Sequence, residues 1–231
     1  MAGEQGKAGC RGTLVTDFDG TLTRHDFFRL ALERLVPPGV PDYWQDYRTG
    51  RLTHFEAMRL YYAAIRATEA QALDIVNGLG LEPDLAGCVQ RLERAGWRVI
   101  VASAGCAWYI RRLLEARGVD LELHANAGQF VEGQGLLIEL PVESPYYSPT
   151  HGIDKAAIVR AAQQSGGRVA FAGDGYPDAP AARLVEPELR FATASLALAL
   201  GEEGLPYRRF DRWAEVAEVL TGLPGRPGEV S

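Results

Sequence analysis

The sequence contains few cysteines, no basic stretch and no long apolar run. Its three cysteines, Cys10, Cys88 and Cys106, are odd in number and widely spaced among 231 residues. This spacing fits neither a disulfide framework nor a cysteine zinc site. The apolar runs are far shorter than the ~20 residues that cross a bilayer. The first ten residues also lack the apolar segment of a signal peptide, so we expect a cytoplasmic protein with reduced cysteines.

The charge composition indicates which kinds of binding partner the protein has. The formal net charge is −6, with 24 basic and 30 acidic residues, so there is no basic surface for nucleic acid or an anionic membrane. The 47% hydrophobic content is close to that of ordinary globular proteins and allows a packed core. We expect a small-molecule partner, no nucleic acid and no membrane. Either a monomer or a homodimer fits the sequence.

One short stretch carries the strongest chemical pattern. Residues 13–16 contain the β-branched residues typical of a strand, and Asp17, Asp19 and Gly20 follow directly. Gly20 permits a tight turn, which can bring both carboxylates around one point. Two hard oxygen ligands suit Mg²⁺, and a carboxylate beside that ion can also attack phosphorus. The alternative is an ordinary Asp- and Gly-containing loop after a strand.

The remainder of the chain predicts two kinds of organisation. Residues 23–81 show helical spacing without a strand, including an N-cap at Thr53 with Glu56 three residues later. From residue 82 onward, strands and helices alternate, which predicts a mostly parallel sheet with helices on both faces. We therefore expect an α/β fold, with a Rossmann-like core at residues 13–22 and 82–221. Residues 23–81 would form an all-helical insertion after the first strand, and residues 1–12 and 222–231 would be disordered.

Polar residues follow the predicted strand before Asp17 and two later strands, and another polar residue lies at the start of a helix. Ser103 follows the strand at residues 98–102, Lys155 lies in the first turn of a helix, and Asp174 and Asp178 follow the strand at residues 168–172. Each has a simpler interpretation: Ser103 as a helix cap, Lys155 as a solvated lysine, and the two aspartates as a turn and a cap. Together with Asp17, however, they favour one site, because chemistry in such sheets collects at the carboxyl ends of the strands.

In this order and context, these residues resemble the haloacid dehalogenase superfamily of phosphohydrolases. The Asp17-Phe18-Asp19-Gly20-Thr21 stretch is similar to its first motif, and Ser103 and Lys155 to its second and third. Residues 173–178, Gly-Asp-Gly-Tyr-Pro-Asp, are similar to its fourth. The resemblance spans residues 13–220 and implies a HAD-like core with a helical type-one cap.

The resemblance implies a role for each motif residue. Asp17 would be the nucleophile, Asp19 would protonate the leaving group and later activate water, and Lys155 would offset charge. Ser103, with the backbone around Ala104 and Gly105, would hold the phosphoryl oxygens. Mg²⁺ would be held by the ligand set implied for the family: Asp17, the backbone carbonyl of Asp19, and Asp174, with Asp178 as a further ligand or an anchor.

Within this superfamily, the chain resembles the phosphoserine phosphatase-like branch. This branch includes phosphoserine phosphatase and the methionine-salvage enzyme 2-hydroxy-3-keto-5-methylthiopentenyl-1-phosphate phosphatase, which residues 191–207 resemble. The acidic cap residue of the branch falls at Asp26. At the position where this branch has a cap arginine, the chain has Tyr62, and Arg59 lies one turn away. Asp26 and Arg59 are therefore the expected substrate contacts. The aromatic residues of the insertion could line a pocket for a substrate tail or form only its own core.

The sequence therefore predicts a Mg²⁺-dependent phosphatase that acts on a small phosphorylated metabolite through an aspartyl phosphate. The methionine-salvage phosphatase, phosphoserine phosphatase and another phosphomonoester hydrolase or phosphotransferase remain open as identities. A non-catalytic binding relative is the alternative from a different class of protein.

Overall fold

We describe residues 11–224 of a computed structural model. Nine strands are present in this part of the chain: β1 (Gly12–Thr16), β2 (Trp97–Cys106), β3 (Glu122–Val131), β4 (Gly135–Glu139), β5 (Tyr147–Ser148), β6 (Gly152–Ile153), β7 (Arg168–Gly173), β8 (Arg190–Ala192) and β9 (Arg208–Arg209). Seven of them form one sheet in the order β4-β3-β2-β1-β7-β8-β9, and β5 pairs with β6 separately. Neighbouring strands of the large sheet are parallel except at the β3–β4 edge.

Ten α-helices accompany the sheet in residues 11–224: α1 (Phe27–Arg34), α2 (Tyr43–Arg48), α3 (His54–Ala63), α4 (Glu69–Asn77), α5 (Leu85–Arg94), α6 (Ala107–Ala116), α7 (Lys155–Gln164), α8 (Ala179–Ala182), α9 (Ala194–Glu202) and α10 (Trp213–Gly222). Two short 3₁₀ turns lie at Tyr176–Asp178 and Pro187–Leu189. None of the helices in this range is long and apolar enough to span a bilayer.

Strand β1 lies at the centre of the sheet and is buried on both faces. Its alternating side chains enter two separate cores: Leu14 packs with residues of α5, α6 and α10, whereas Val15 packs with residues of α7, α8 and α9. Helices therefore cover both faces, as a parallel sheet requires. The Nε1 of Trp213 donates to Thr16 Oγ1 at 3.1 Å, which ties α10 to the strand that delivers Asp17.

Helices α1 to α4 occupy the segment between β1 and α5. The chain leaves and returns at one point, where Thr23 and Leu81 form an antiparallel bridge and the N–H of Glu82 donates to the carbonyl of Leu22. The predicted cap at Thr53 is present: its side chain accepts from the N–H of Glu56, and the Glu56 carboxylate accepts from the N–H of Thr53. Residues 23–81 as a separate cap domain remain our proposal.

The predicted α/β fold with a mostly parallel sheet is confirmed, but local details differ. Residues 122–131 form one long strand, and the second half of this strand pairs with the antiparallel β4. Helix α9 was not predicted, because Thr193 is not followed three residues later by Glu or Gln, the signal that indicated the cap at Thr53. Gly12 belongs to β1 and Gly222 to α10. The predicted disordered ends at residues 1–10 and 225–231 lie outside the described residues.

Candidate active site

Strands β1, β2 and β7 bring the predicted site residues to the same edge of the sheet. Asp17 follows β1, and its N–H donates to the carbonyl of Ala172 in β7 at 2.9 Å. Asp174 follows β7. Ser103 lies inside β2, at a point where pairing with β3 is interrupted between Ala102 and Cys106. The predicted end of a strand at Ser103 is therefore an irregularity within a longer strand.

Lys155 joins two carboxylates at the centre of this edge. Its Nζ lies 2.7 Å from Asp17 Oδ1 and 2.6 Å from Asp178 Oδ1. Because the lysine is only 7% exposed, it is not an ordinary solvated surface lysine. Burial opposes its charge, but the two carboxylates outweigh that effect and raise the pKa of Lys155 above its ordinary value. Lys155 is therefore held as a cation between two acids.

Asp178 organises the loop after β7. Its Oδ1 binds Lys155, while its Oδ2 accepts from the backbone N–H groups of Asp174 at 3.1 Å and Gly175 at 3.0 Å. Both carboxylate oxygens are therefore engaged by the protein. This arrangement favours the anchoring role over direct metal ligation among the two alternatives that the sequence left open.

Asp17, Asp174 and Asp178 form a cluster suited to a divalent cation. One carboxylate oxygen of each lies within 4.8 Å of the others. Within residues 11–224 no group donates a hydrogen bond to the Asp174 carboxylate, because Ser195 Oγ donates to the backbone carbonyl of Asp174 instead. The carboxylate is therefore available as a ligand. The donors are hard anionic oxygens, which is the set that Mg²⁺ prefers. The residues therefore fit a magnesium ion, with Asp17 and Asp174 as the better candidates because Asp178 is already engaged.

Gly20 makes room for Asp174. Its φ is +73°, and a Cβ at this position would lie 2.5 Å from Asp174 Oδ2. A side chain here would meet both an unfavourable backbone conformation and a steric clash with the carboxylate. The glycine of the first motif is thus required by contact with the fourth motif, which the sequence alone did not show.

Asp19 is held by two donors from different parts of the chain. The N–H of Phe27, the first residue of α1, donates to Oδ1 at 3.0 Å. The hydroxyl of Tyr109, on α6, donates to Oδ2 at 2.5 Å. Burial, with a smaller contribution from the charge of Asp26, raises the pKa of Asp19 to about 7. A carboxyl group with this pKa can both give and take a proton near neutral pH.

The Ser103–Gly105 segment forms the opposite wall of the site. Ser103 is buried, and its Oγ accepts from the N–H of Gly105 at 3.0 Å. Asn126, which the sequence analysis did not single out, supports this segment: its Nδ2 donates to the carbonyl of Ala104 at 2.7 Å and to that of His151 at 3.3 Å. Asn126 therefore connects the segment to the loop that precedes Lys155.

These groups line a cavity of about 400 Å³ between the sheet edge and helices α1 to α3. Asp26, Ala104 and Gly105, which the sequence analysis named as substrate contacts, line this cavity, whereas Arg59 is exposed and does not. Arg29 lines it instead, one turn after Asp26 on α1. The wall formed by α1 to α3 is mainly apolar and aromatic, and contains Phe28, Leu32, Trp44, Met58 and Tyr62.

His54, the first residue of α3, adds an imidazole to that wall. Its Nδ1 is buried and has no hydrogen-bond partner within residues 11–224. Burial lowers the pKa of His54 to about 4, with a smaller contribution from the nearby His151, whose ring centroid lies 5.1 Å away. The imidazole is therefore neutral at physiological pH. Sequence reasoning missed His54 and Tyr109 because nothing in their local pattern separates them from core or loop residues.

The mostly parallel sheet with helices on both faces, and the cluster of acids around one lysine at its edge, place the chain among α/β proteins with a Rossmann-like core. A family model described as haloacid dehalogenase-like hydrolase matches residues 14–183, well over half of the chain. The chain therefore belongs to the haloacid dehalogenase-like hydrolases, and the resemblance inferred from the motifs is confirmed at the level of the family.

Solved structures agree with this fold. A phosphoserine phosphatase from T. onnurineus is 18% identical with a TM-score of 0.64, over 96% of this chain and 100% of that one. A HAD family hydrolase from Salmonella enterica serovar Typhi is 16% identical with a TM-score of 0.68, over 93% and 72%. A phospho-aspartyl intermediate analogue of phosphoserine phosphatase is 17% identical with a TM-score of 0.59, over 90% and 98%. No curated protein sequence matches the chain significantly.

We predict that Gly20→Ala disrupts the site more than it disrupts the fold. The new methyl group would displace the Asp174 carboxylate, in addition to the cost of ~1 kcal/mol expected for Ala at a positive φ. Gly50→Ala is the matched control, because Gly50 has a φ of +75° and nothing within 4 Å of its Cβ position. Titration calorimetry with Mg²⁺ should show weaker binding only in Gly20→Ala. Equal binding by both variants would contradict this account of Gly20.

A second prediction concerns stability and pH. Burial raises the pKa of Asp19 and of Asp174 to about 7, so the folded chain binds more protons than the unfolded chain below that pH. The free energy of unfolding therefore falls as the pH rises toward 7, and it stays at this lower level above pH 7. The neutral His54 has the opposite effect, but mainly below pH ~6.5, the ordinary pKa of histidine. We therefore expect the metal-free chain to have a lower thermal midpoint at pH 8 than at pH 6.5.

The same reasoning gives the response to Mg²⁺ and its control. The ion should raise the midpoint at pH 8 by ~3 °C or more, which corresponds to about 1 kcal/mol for a chain of this size. Asp174→Asn removes one of the titrating carboxyls, so this variant should be more stable than the wild type at pH 8 without metal and respond less to Mg²⁺. A wild-type midpoint that rises from pH 6.5 to 8 and ignores Mg²⁺ would be inconsistent with a carboxylate metal site.

Proposed function

We propose that this hydrolase is a Mg²⁺-dependent phosphatase that acts on a small phosphomonoester through an aspartyl phosphate on Asp17. The observation that carries the proposal is the position of Lys155 Nζ, 2.7 Å from Asp17 Oδ1 and 2.6 Å from Asp178 Oδ1, beside the Asp174 carboxylate. Such a site can accept an anionic phosphoryl group next to a carboxylate nucleophile, because cationic groups offset the repulsion. The phospho-aspartyl intermediate analogue of phosphoserine phosphatase, whose fold is similar to that of this chain, supports the proposal.

In the first step of the proposed reaction, a carboxylate oxygen of Asp17 attacks phosphorus and the bond to the leaving oxygen breaks. Asp19 gives its proton to that oxygen, and the alcohol departs. In the second step, Asp19 takes a proton from water, which attacks phosphorus, releases inorganic phosphate and restores the Asp17 carboxylate. Lys155 offsets the charge between Asp17 and the phosphoryl group, while Ser103 and the N–H groups of the segment around it bind the phosphoryl oxygens.

Magnesium would be held by Asp17, Asp174 and the backbone carbonyl of Asp19. When bound, the ion supplies positive charge against the carboxylates and the phosphoryl oxygens. Asp178 would act through Lys155 and through the two backbone N–H groups that it accepts from. In this proposal, every acidic residue of the first and fourth motifs at the sheet edge has a role.

The third prediction is that Asp17→Asn abolishes hydrolysis. We expect the wild type with Mg²⁺ to hydrolyse p-nitrophenyl phosphate and the variant to be slower by ~10³-fold or more, because the covalent route is lost. Asp120→Asn, which removes an exposed carboxylate before β3, should behave as the wild type. If wild type and Asp17→Asn are equally inactive, a non-catalytic binding relative replaces the phosphatase. Mass spectrometry of products with an added acceptor alcohol separates hydrolysis from phosphotransfer.

The residues of the cavity wall indicate which class of substrate the site would accept. Phe28, Trp44 and Met58 present apolar surface to the cavity that Asp17 and Lys155 also line, which favours a monoester with an apolar group, as the methionine-salvage substrate would have. His54 could pair with one uncharged polar group on such a substrate, since its Nδ1 is unsatisfied. Phosphoserine is the second candidate, because Asp26 and Arg29 offer opposite charges on α1 and several structural relatives are phosphoserine phosphatases.

The fourth prediction uses Trp44 to separate these candidates. Trp44→Ala should lower kcat/KM for hexyl phosphate by ~10-fold or more, the scale expected when apolar contact is removed from a pocket, and leave methyl phosphate unchanged. Tyr43→Ala is the matched control, since Tyr43 is the neighbouring aromatic residue on α2 and does not line the cavity. A wild-type preference for phosphoserine over hexyl phosphate would instead assign the zwitterionic substrate.

A further inference from the structure

Tyr109 is a buried residue that none of the four motifs includes. Its side chain is 0% exposed, and its hydroxyl donates to Asp19 Oδ2 at 2.5 Å. It lies on α6, six residues after Ser103, and reaches across to the loop after β1. The contact therefore connects the second and first motifs through a residue outside both.

The second oxygen of Asp19 is held from the other side. Its Oδ1 accepts from the N–H of Phe27 at 3.0 Å. The ring of Phe27 stacks on that of Tyr109, with centroids 4.3 Å apart and an interplanar angle of 21°. The two donors to Asp19 therefore pack directly against each other. One comes from α1 and the other from α6, so the orientation of the carboxyl group depends on both helices.

Gly105 packs closely against the contact between Tyr109 and Asp19. A Cβ added to Gly105 would lie 2.0 Å from the Tyr109 hydroxyl and 3.0 Å from Asp19 Oδ2. The glycine in the phosphate-facing segment thus leaves room for the Tyr109–Asp19 pair. A hydroxyl buried this completely would cost free energy without a partner, and Asp19 is the partner that the fold provides.

We propose that Tyr109 is a positioning residue that holds the carboxyl group of Asp19 where it can protonate the leaving oxygen and then activate water. This inference rests on the proposed phosphatase function and extends it to a residue outside the family motifs. Tyr109 makes no bond to the substrate in this account and undergoes no chemistry. Without its hydroxyl, Asp19 Oδ2 loses its donor and the carboxyl group is free to rotate away from the productive position.

A leaving-group comparison separates this role from a purely structural one. An alkyl alcohol needs a proton as it departs, whereas p-nitrophenol is acidic enough to leave as the anion. We therefore expect Tyr109→Phe to lower kcat/KM for an alkyl phosphate by ~10- to 100-fold, part of the usual contribution of a general acid. The kcat/KM for p-nitrophenyl phosphate should change by less than about 3-fold, because kcat/KM reports only steps up to the release of the leaving group.

The second chemical step gives an independent readout. If Asp19 also activates water, hydrolysis of the aspartyl phosphate should slow in Tyr109→Phe. Stopped-flow mixing with p-nitrophenyl phosphate should then show a rapid burst of up to one equivalent of p-nitrophenol, followed by a slower steady rate. Tyr61→Phe is the matched control: Tyr61 is also buried and its hydroxyl contacts Trp44 N and Asp42, away from Asp19.

The possible outcomes decide the proposal. A selective loss with the alkyl ester, together with a burst, supports the positioning role, provided that the thermal midpoint of Tyr109→Phe matches that of Tyr61→Phe. An equal loss with both esters, or no loss with either, overturns it. These results differ from failure of the proposed function, in which the wild type with Mg²⁺ would hydrolyse neither ester.

Discussion

The structure around the active-site edge depends on one cation placed among carboxylates. Asp17, Asp174 and Asp178 converge within 4.8 Å, and this arrangement would be strongly repulsive without positive charge. Lys155 supplies part of that charge and touches two of the three acids. A divalent ion at Asp17 and Asp174 would supply the remainder. The need for charge balance explains why these acids surround a lysine, and it is the reason why we propose that the site accepts a phosphoryl group.

The supporting contacts are as specific as the charged ones. Gly20 lies against Asp174, Gly105 lies against Tyr109, and a Cβ on Gly152 would lie 1.7 Å from Asn126 Oδ1. In each case the glycine allows a functional or supporting side chain to approach the backbone more closely than any other residue would permit. These contacts join the loop after β1 to the loop after β7, β2 to α6, and β6 to β3. Rigid support of this kind keeps the reacting groups in position, which matters because misplacement by ~1 Å is costly in catalysis.

Asp19 shows how one carboxyl group can be distinguished from its neighbours. It lies two residues from Asp17, yet it contacts Phe27 and Tyr109 where Asp17 contacts Lys155. Burial raises the pKa of both groups: the pKa of Asp17 lies well above its ordinary value although Lys155 opposes the shift, and the pKa of Asp19 is raised to about 7. Two aspartates that look equivalent in the sequence therefore acquire different environments, as the proposed roles of nucleophile and acid–base group require.

The sequence by itself determined the class of fold and the identity of the motif residues. Strand and helix periods are local properties, and the carboxyl ends of parallel strands must meet at one edge, so Asp17, Lys155 and Asp174 could be predicted to converge. Only the tertiary structure decided which other side chains reach that edge. Tyr109 lies 90 residues from Asp19, and Arg29 rather than Arg59 lines the cavity, because such contacts depend on how helices pack and not on the spacing of residues along the chain.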